Sequence, residues 1–451
     1  MSGERAFLFL QGPSSSLFAK IAEHLTRAGR ACYRINLNVG DQIFWRRGGA
    51  SNYRGSLEKW GVYIRSFLDD RNIGTIILLG EERPYHKEAV RAAKERGIDV
   101  VVIEMGYLRP DWVTVELDGM SSNSRFPNDP ELILKAAENL PEPDWTRKYS
   151  QTFLAEALYD LAYYLPSVFL GFLYPRYRFH GIYHPLAEYA GWVGRLATAR
   201  RRDKVALALT DTLKRSGSLW FVYPLQLETD YQLRAHSPYN SQRDAIAHVI
   251  SSFAKSADES AKLAIKVHPL DNGLIAWRQV IQSATERSGV AERVLYFDGG
   301  DLNSIMTTCR GVVTVNSTAA LSALNQSIPV KTLGAALFDI EDLTSQSSLE
   351  EFWHSPMPPE PTVRAAFFRL VAASIQERGN FYSDAGTSAA SAAVATRIMN
   401  GAVNSPGGDA GYVPRSRPAK LTGENLWCGQ SGHCGDAKVR VKRRTPTLTG
   451  R

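Results

Sequence analysis

The sequence predicts an α/β protein made of two similar parallel-sheet halves, and three observations carry that prediction. Short apolar runs alternate with amphipathic stretches through residues 1–145 and again through 205–345. Gly29 and Gly97 stand where two of the amphipathic stretches should stop. The short runs are long enough for strands and too short for helices, and helices between them are what a parallel sheet requires.

In the first half, strands are expected at 6–10, 31–37, 75–79 and 100–104. LFAKIAEHLTRAG places Leu17, Ile21 and Leu25 on one helical face, and YHKEAVRAAKERG fills the gap before the fourth strand. Sites in such sheets form beyond the carboxyl ends of the strands. That rule singles out QGPSSS at 11–16 and EMGYLRPDWVTVELDG at 104–119, both expected to be loops.

Residues 146–204 differ in kind. Thirteen aromatic residues fall within 149–192, and Arg176, Arg178, Arg195, Arg200, Arg201 and Arg202 accompany them or follow. Two readings stand: the core of an interdomain helical segment, or a surface for anionic lipid, where aromatics suit the headgroup boundary.

The second half opens on WFVYPLQLETDYQLRAHSPY at 220–239, a strand followed by a connector far more polar than a chain reversal needs. Further strands are expected at 263–267, 294–297, 311–315 and 330–333, with helices at 274–288, 301–309 and 317–326. Two Rossmann-like domains facing a cleft make a GT-B-like arrangement. The unit 346–403 is expected to supply closing helices at 361–378 and 386–400, and 404–451 to be a disordered basic tail.

Of the net charge of +7, residues 405–451 supply +6, from nine Lys/Arg against three Asp/Glu. The remainder is nearly neutral, which argues against a nucleic-acid partner read by a broad basic surface. No uncharged apolar run reaches the roughly 20 residues of a spanning helix, and MSGERAFLFLQ reads as a first strand instead of a signal peptide. Four cysteines, at 32, 309, 428 and 434, fit a reducing compartment. These points lead to the expectation of a cytoplasmic protein, soluble or peripheral.

Three groups could carry chemistry. His268 and Pro269 end a strand at the ligand edge, where an imidazole can donate to a phosphate oxygen. Asn316, Ser317 and Thr318 lie where a strand gives way to a helix, a site suited to anions. Glu104, Asp111, Glu116 and Asp118 offer carboxylates at the edge of the first half, and Arg109 a bidentate cation. The 220–239 loop should line the same cleft through Gln226, Asp230 and His236. His184-Pro185 reads as a local turn. Cys428, His433 and Cys434 are too weak a set to assign a metal.

Together, EMGYLRPDWVTVE (104–116), PLQLETDYQLRAHSPY (224–239), KVHPLDNG (266–273) and VNSTAALSAL (315–324) resemble the KpsS/LipB family of capsular polysaccharide synthesis and export proteins. The resemblance spans about residues 5–400. It implies a retaining β-Kdo glycosyltransferase that uses CMP-Kdo as donor substrate, with no further cofactor and no metal. The implied acceptor is a (lyso)phosphatidylglycerol at the cytosolic surface of the inner membrane of a Gram-negative bacterium. The product starts the poly-Kdo linker of a capsular polysaccharide, and a capsule synthesis or export complex is the implied partner.

The resemblance also implies roles. His268 corresponds to the histidine that contacts the CMP phosphate, with Ser317 and Thr318 beside it. Glu104 and Gly106 match an acidic-x-Gly signature whose usual second acid is Met105 here. The catalytic carboxylate is therefore expected among Glu104, Glu116 and Asp230, in that order. Arg109 and Arg234 are expected to clamp the donor's own carboxylate. Two other classes compete: a transferase for another nucleotide donor, and a non-catalytic export adaptor.

Overall fold

The computed structural model describes residues 5–408 and 415–421. Its strands are β1 (Ala6–Phe9), β2 (Cys32–Asn36), β3 (Ala50–Asn52), β4 (Ile73–Leu79), β5 (Asp99–Met105), β6 (Trp112–Leu117), β7 (Trp220–Pro224), β8 (Lys262–Lys266), β9 (Val294–Phe297), β10 (Gly311–Thr314), β11 (Val330–Thr332) and β12 (Gln376–Arg378). They form two sheets, one in the order β12-β6-β5-β4-β1-β2-β3 and one in the order β11-β10-β7-β8-β9.

Both sheets contain the doubly wound order. In the first, β5-β4-β1-β2-β3 are parallel neighbours. In the second all five strands are parallel. Strand order reverses direction between β1 and β4 in one sheet and between β7 and β10 in the other, and the loops leaving those strands frame a crevice. The chain is thus a GT-B-like α/β protein of two Rossmann-like domains.

Helices cover the sheets for the reason the pattern gave. Leu17–Arg27 buries Leu17, Phe18, Ile21, Ala22 and Leu25, one face of one helix. The 31-residue helix Pro185–Arg215 runs from the aromatic segment to the threshold of β7 and spans position 204 without interruption. His184 caps it, its Nδ1 accepting from the Leu186 N–H at 3.3 Å. Helix Asp384–Met399 packs along Leu17–Arg27, so the C-terminal elements return to the first domain.

Three expectations need correction. The 104–119 stretch is a hairpin: β6 pairs antiparallel with β5, setting Glu104 opposite Thr114 and Met105 opposite Val113. A connection of six residues, 106–111, is too short for a parallel crossover and leaves only the antiparallel return. The helix expected at 361–378 ends at Ile375, and Gln376–Arg378 becomes β12 against β6.

The tail does not begin at 404. The Asn404 carboxamide oxygen accepts from the Leu117 N–H at 2.7 Å, fixing that residue to β6. Residues 415–421 lie across both domains. Arg415 donates to the Phe126 carbonyl at 2.7 Å on one side and to the Leu337 carbonyl at 3.1 Å on the other. Lys420 donates to the carbonyls of Ser237 and Tyr239 at 2.9 and 2.6 Å. Cys428, His433 and Cys434 lie outside the described residues.

Candidate functional site

The carboxyl edges of the two sheets meet around a cavity of about 380 Å³. Tyr107, Arg109 and Trp145 line it from the first domain, and Lys266, His268, Pro269, Ser317 and Thr318 from the second. Sequence reasoning passed over Lys266 as a strand residue. Its signal was a charge inside the otherwise apolar run LAIKV, and the structure buries it to 3% exposure at the end of β8. The Lys266 ammonium has one long contact, to the Val267 carbonyl at 3.5 Å, and burial lowers its pKa.

His268 sits two residues beyond β8. Its Nδ1 accepts the Leu270 N–H at 3.1 Å, so a neutral ring carries its proton on Nε2. Burial, followed by the charges of Arg109 and Lys266, pushes its pKa down to about 4. Three groups able to donate to an anion therefore share one cavity with two hydroxyls. Among the described residues no carboxylate lines the cavity, so its chemistry is that of an anion receptor.

At β10 the helix Ala319–Asn325 has only seven residues, and the Ser317 hydroxyl accepts from the Ala319 N–H at 3.2 Å. So short a helix carries a weak dipole, and the contribution of Ser317 and Thr318 comes from their hydroxyls more than from the helix. Asn316 is spoken for: Gln226 Nε2 donates to its Oδ1 at 2.8 Å and its backbone N–H donates to Gln226 Oε1 at 3.1 Å. Asn316 Nδ2 donates in turn to the Gln232 carbonyl at 3.0 Å. Gln226 and Asn316 are both buried, so they fix the loop between β7 and the short helix Tyr231–Ala235 and do not line the cavity.

Two carboxylates, one from each domain, lie close enough to act on each other's charge, and neither lines the cavity. Glu104, on β5, accepts from the Met105 N–H at 3.1 Å. Burial raises its pKa, the Arg83 charge draws it back, and the Asp230 charge raises it again. Asp230 caps the helix Tyr231–Ala235 by accepting from the Gln232 N–H at 2.8 Å, and burial raises its pKa as well. Arg109 has surface open to the cleft, yet the surrounding protein lowers its pKa while Glu104 and Glu156 partly restore it. Arg234 lies over the Tyr231 ring at 4.6 Å and donates to the Thr229 carbonyl at 3.3 Å.

A second cavity, of about 330 Å³, adjoins the first through Arg109. Met105, Arg147, Phe153, Glu156 and Tyr382 stand in its wall. Arg109 is thus the one side chain of the predicted set that both cavities share.

Two predicted site residues lie elsewhere. Glu116 is buried with no exposed surface and does not line the cavity; the Tyr107 hydroxyl donates to it at 2.9 Å and the Ser124 hydroxyl donates to its other oxygen. The antiparallel return explains this: β6 runs back from the carboxyl edge, so Glu116 lies opposite Val102, deeper in the sheet than Glu104, on a strand covered on both faces. Burial pushes the Glu116 carboxyl up to about 7. His236 is also fully buried, with Nδ1 2.6 Å from the Ser122 hydroxyl and Nε2 facing Glu81 and Glu82 at 3.8 and 3.7 Å. It belongs to the seam between domains, where Lys87 and Arg417 pair with Glu82. Asp111 instead accepts from the N–H groups of Lys148 and Tyr149 at 2.8 and 2.9 Å, and Asp118 pairs with Arg125.

Residues 74–382 match the family model described as capsule polysaccharide biosynthesis protein. The chain is 32% identical over 384 residues to the capsule polysaccharide export protein KpsS of Escherichia coli, covering 85% of this chain and 98% of that one. It is 30% identical over 385 residues to the capsule polysaccharide modification protein LipB of Neisseria meningitidis serogroup B, covering 83% of this chain and 91% of that one. Among solved structures it is similar to Thermosulfurimonas dismutans KpsC, a beta Kdo 2,7 transferase, with 12% identity, a TM-score of 0.41 and coverage of 88% and 99%. On the family match and on the identity to KpsS and LipB over most of the chain, this protein belongs to the capsule polysaccharide biosynthesis family.

Proposed function

We propose that the protein is a retaining glycosyltransferase that moves Kdo from CMP-Kdo to a phosphatidylglycerol-type lipid and so starts the poly-Kdo linker of a capsular polysaccharide. The observation that carries this reading is the cavity shared by Arg109, Lys266, His268, Ser317 and Thr318, with Glu104 close enough to Arg109 to act on its charge and Asp230 close enough to act on Glu104. The donor substrate is anionic twice over, at its phosphate and at the sugar carboxylate. A cavity with three cationic or donor groups suits the phosphate, and Arg109 suits the carboxylate, with Arg234 on the helix Tyr231–Ala235 as the second proposed clamp.

The chemistry then needs charge stabilisation at the leaving phosphate more than a strong acid. His268 Nε2–H donates to the phosphate while Lys266 balances its charge. In a double displacement, the Glu104 carboxylate bonds to the anomeric carbon as the bond to the CMP oxygen breaks, and CMP departs with the bonding pair. The acceptor hydroxyl next attacks that carbon, its proton passes to Asp230, and Glu104 is released as a carboxylate. Two inversions give overall retention.

The acceptor reading places the protein on the cytosolic face of the inner membrane, within reach of capsule synthesis and export partners. Among the described residues no helix is long and apolar enough to cross a membrane. The aromatic segment nonetheless leaves Leu154, Phe169 and Phe172 67%, 67% and 71% exposed. Such side chains beside Arg176 and Arg178 suit a bilayer surface with anionic lipid.

Nucleotide release tests the donor. With CMP-Kdo and a lipid acceptor the protein should release CMP, and His268→Ala should slow release by about 10²-fold. Release from UDP- or CDP-linked donors but not from CMP-Kdo would overturn the donor assignment. CMP binding without turnover of any donor would favour an export adaptor instead.

A further inference from the structure

The largest cavity described, about 1100 Å³, lies outside the cleft, in a groove along the helix Leu17–Arg27 in the first domain. Helix Phe153–Phe169 forms its opposite wall through Ala155, Leu158, Tyr159 and Ala162, and Ile43 and Phe44 close a third side. The lining of the groove extends from Ser16 to Thr26, about 15 Å at 1.5 Å per helical residue. Its wall is mostly apolar, while Lys20, Arg30, Arg46 and Arg47 stand in its lining against the single acid Glu23. Glu23 is itself paired with Arg27.

An apolar groove of this length with cations in its lining suits a hydrocarbon chain carrying an anionic head. The surroundings argue for the same occupant. Leu158, 56% exposed, lines the groove on the helix that also presents Phe153 and Leu154 to solvent. The groove also borders the catalytic side. Tyr159 in its wall meets Tyr382 at a ring distance of 6.0 Å, and Tyr382 lines the cavity that Arg109 shares with the His268 cavity.

We infer that this groove holds the acyl chain of a monoacyl anionic phospholipid, with its phosphate at the cationic rim and the far end of its head directed past the Tyr159–Tyr382 pair toward Arg109. The inference rests on the lipid-acceptor reading for its role in the reaction, and on the groove alone for binding. The Tyr159–Tyr382 pair stands as the partition between the chain site and the reacting centre.

The test is calorimetric titration of the full-length protein with palmitoyl-lysophosphatidylglycerol below its micelle concentration, without donor. Ala162 is exposed and lines the groove, so Ala162→Trp fills the channel without entering the core. It should weaken binding at least tenfold while CMP binding stays unchanged. Val62→Asp, 77% exposed on the helix Leu57–Asp70 and outside the groove lining, should leave binding within about twofold, which separates the groove from general stickiness of exposed apolar surface. The acyl-free head, glycerophosphoglycerol, should bind at least tenfold more weakly than the lysolipid. Unchanged lysolipid binding by Ala162→Trp, or equal affinity for the acyl-free head, would overturn the inference. Because no donor is present, a protein that binds the lysolipid in this way yet transfers no sugar would refute the transferase reading and leave the groove assignment standing.

Discussion

Gln226 and Asn316 hold each other through two reciprocal hydrogen bonds, 2.8 Å from the Gln226 amide to the Asn316 side-chain oxygen and 3.1 Å from the Asn316 backbone back to Gln226. The pair joins the loops leaving β7 and β10, the neighbouring strands at which the second sheet reverses its order. The polar loop that stood out in the sequence is thereby fixed to the Ser317–Thr318 corner, and Asp230 is carried on it.

Removing one partner leaves buried polar atoms of the other unpaired. Gln226→Ala and Asn316→Ala should each destabilise the protein by about 1–3 kcal/mol. Because they share one interaction, the double variant should fall short of the sum by at least about 0.5 kcal/mol. Chemical denaturation of the four proteins checks this, and strict additivity would mean that the pair does not act as a unit.

Glu116 gives a pH-dependent prediction. Its folded carboxyl is raised to about 7 from an ordinary 4.5, so between those values the folded state binds more protons than the unfolded one. Stability from this group is therefore complete below about pH 4.5 and declines as pH rises toward 7. Glu116→Gln removes the ionisation and should stabilise the protein by about 1–3 kcal/mol at pH 8 and by almost nothing at pH 5. Melting curves at the two pH values decide it. Cleft chemistry should persist in this variant, since Glu116 has no surface in the cleft.

Arg415, Arg417 and Lys420 tie the two domains together. A chain ending at 421 should melt as the full-length protein does, whereas one ending at 408 should lose about 1–3 kcal/mol, the scale of one or two hydrogen bonds from charged donors. Equal melting of the two truncations would show that residues 415–421 contribute nothing to the seam.

Acid inactivation should report the cleft carboxylates. Burial raises both Glu104 and Asp230, so the ionised forms needed for attack and for proton uptake are lost at a higher pH than ordinary carboxylates would allow. In kcat/KM against pH, the acid limb should fall above the ordinary carboxylate range, while His268, at about 4, stays neutral through it. A rate that stays flat down to pH 4 would remove both carboxylates from the mechanism.

Much of the fold was legible because buried strands and one-sided helices leave periodic traces: Leu17, Ile21 and Leu25 are buried on one helical face as their spacing requires. The hairpin was not. Trp112–Leu117 carries Glu116 in a strand with both faces buried, and a charged residue inside a short run is the usual mark of a loop. The basic tail misled for a related reason. Composition reports what cannot form a core, and it does not register that Arg415 and Lys420 bond to backbone carbonyls on a surface made by distant residues. The cleft edge was legible at His268, Ser317 and Thr318, which follow predicted strands. His236 was not, because its burial against Glu81 and Glu82 depends on how the two domains meet.

The central claim is that the Arg109–His268 cavity serves transfer of Kdo from its CMP donor to a lipid. Mass spectrometry of the product formed from CMP-Kdo and lysophosphatidylglycerol tests it most directly. The account predicts a lysolipid heavier by one Kdo residue, formed with release of CMP and strongly reduced in Glu104→Gln. An unmodified lysolipid after prolonged incubation with active, CMP-binding protein would contradict it.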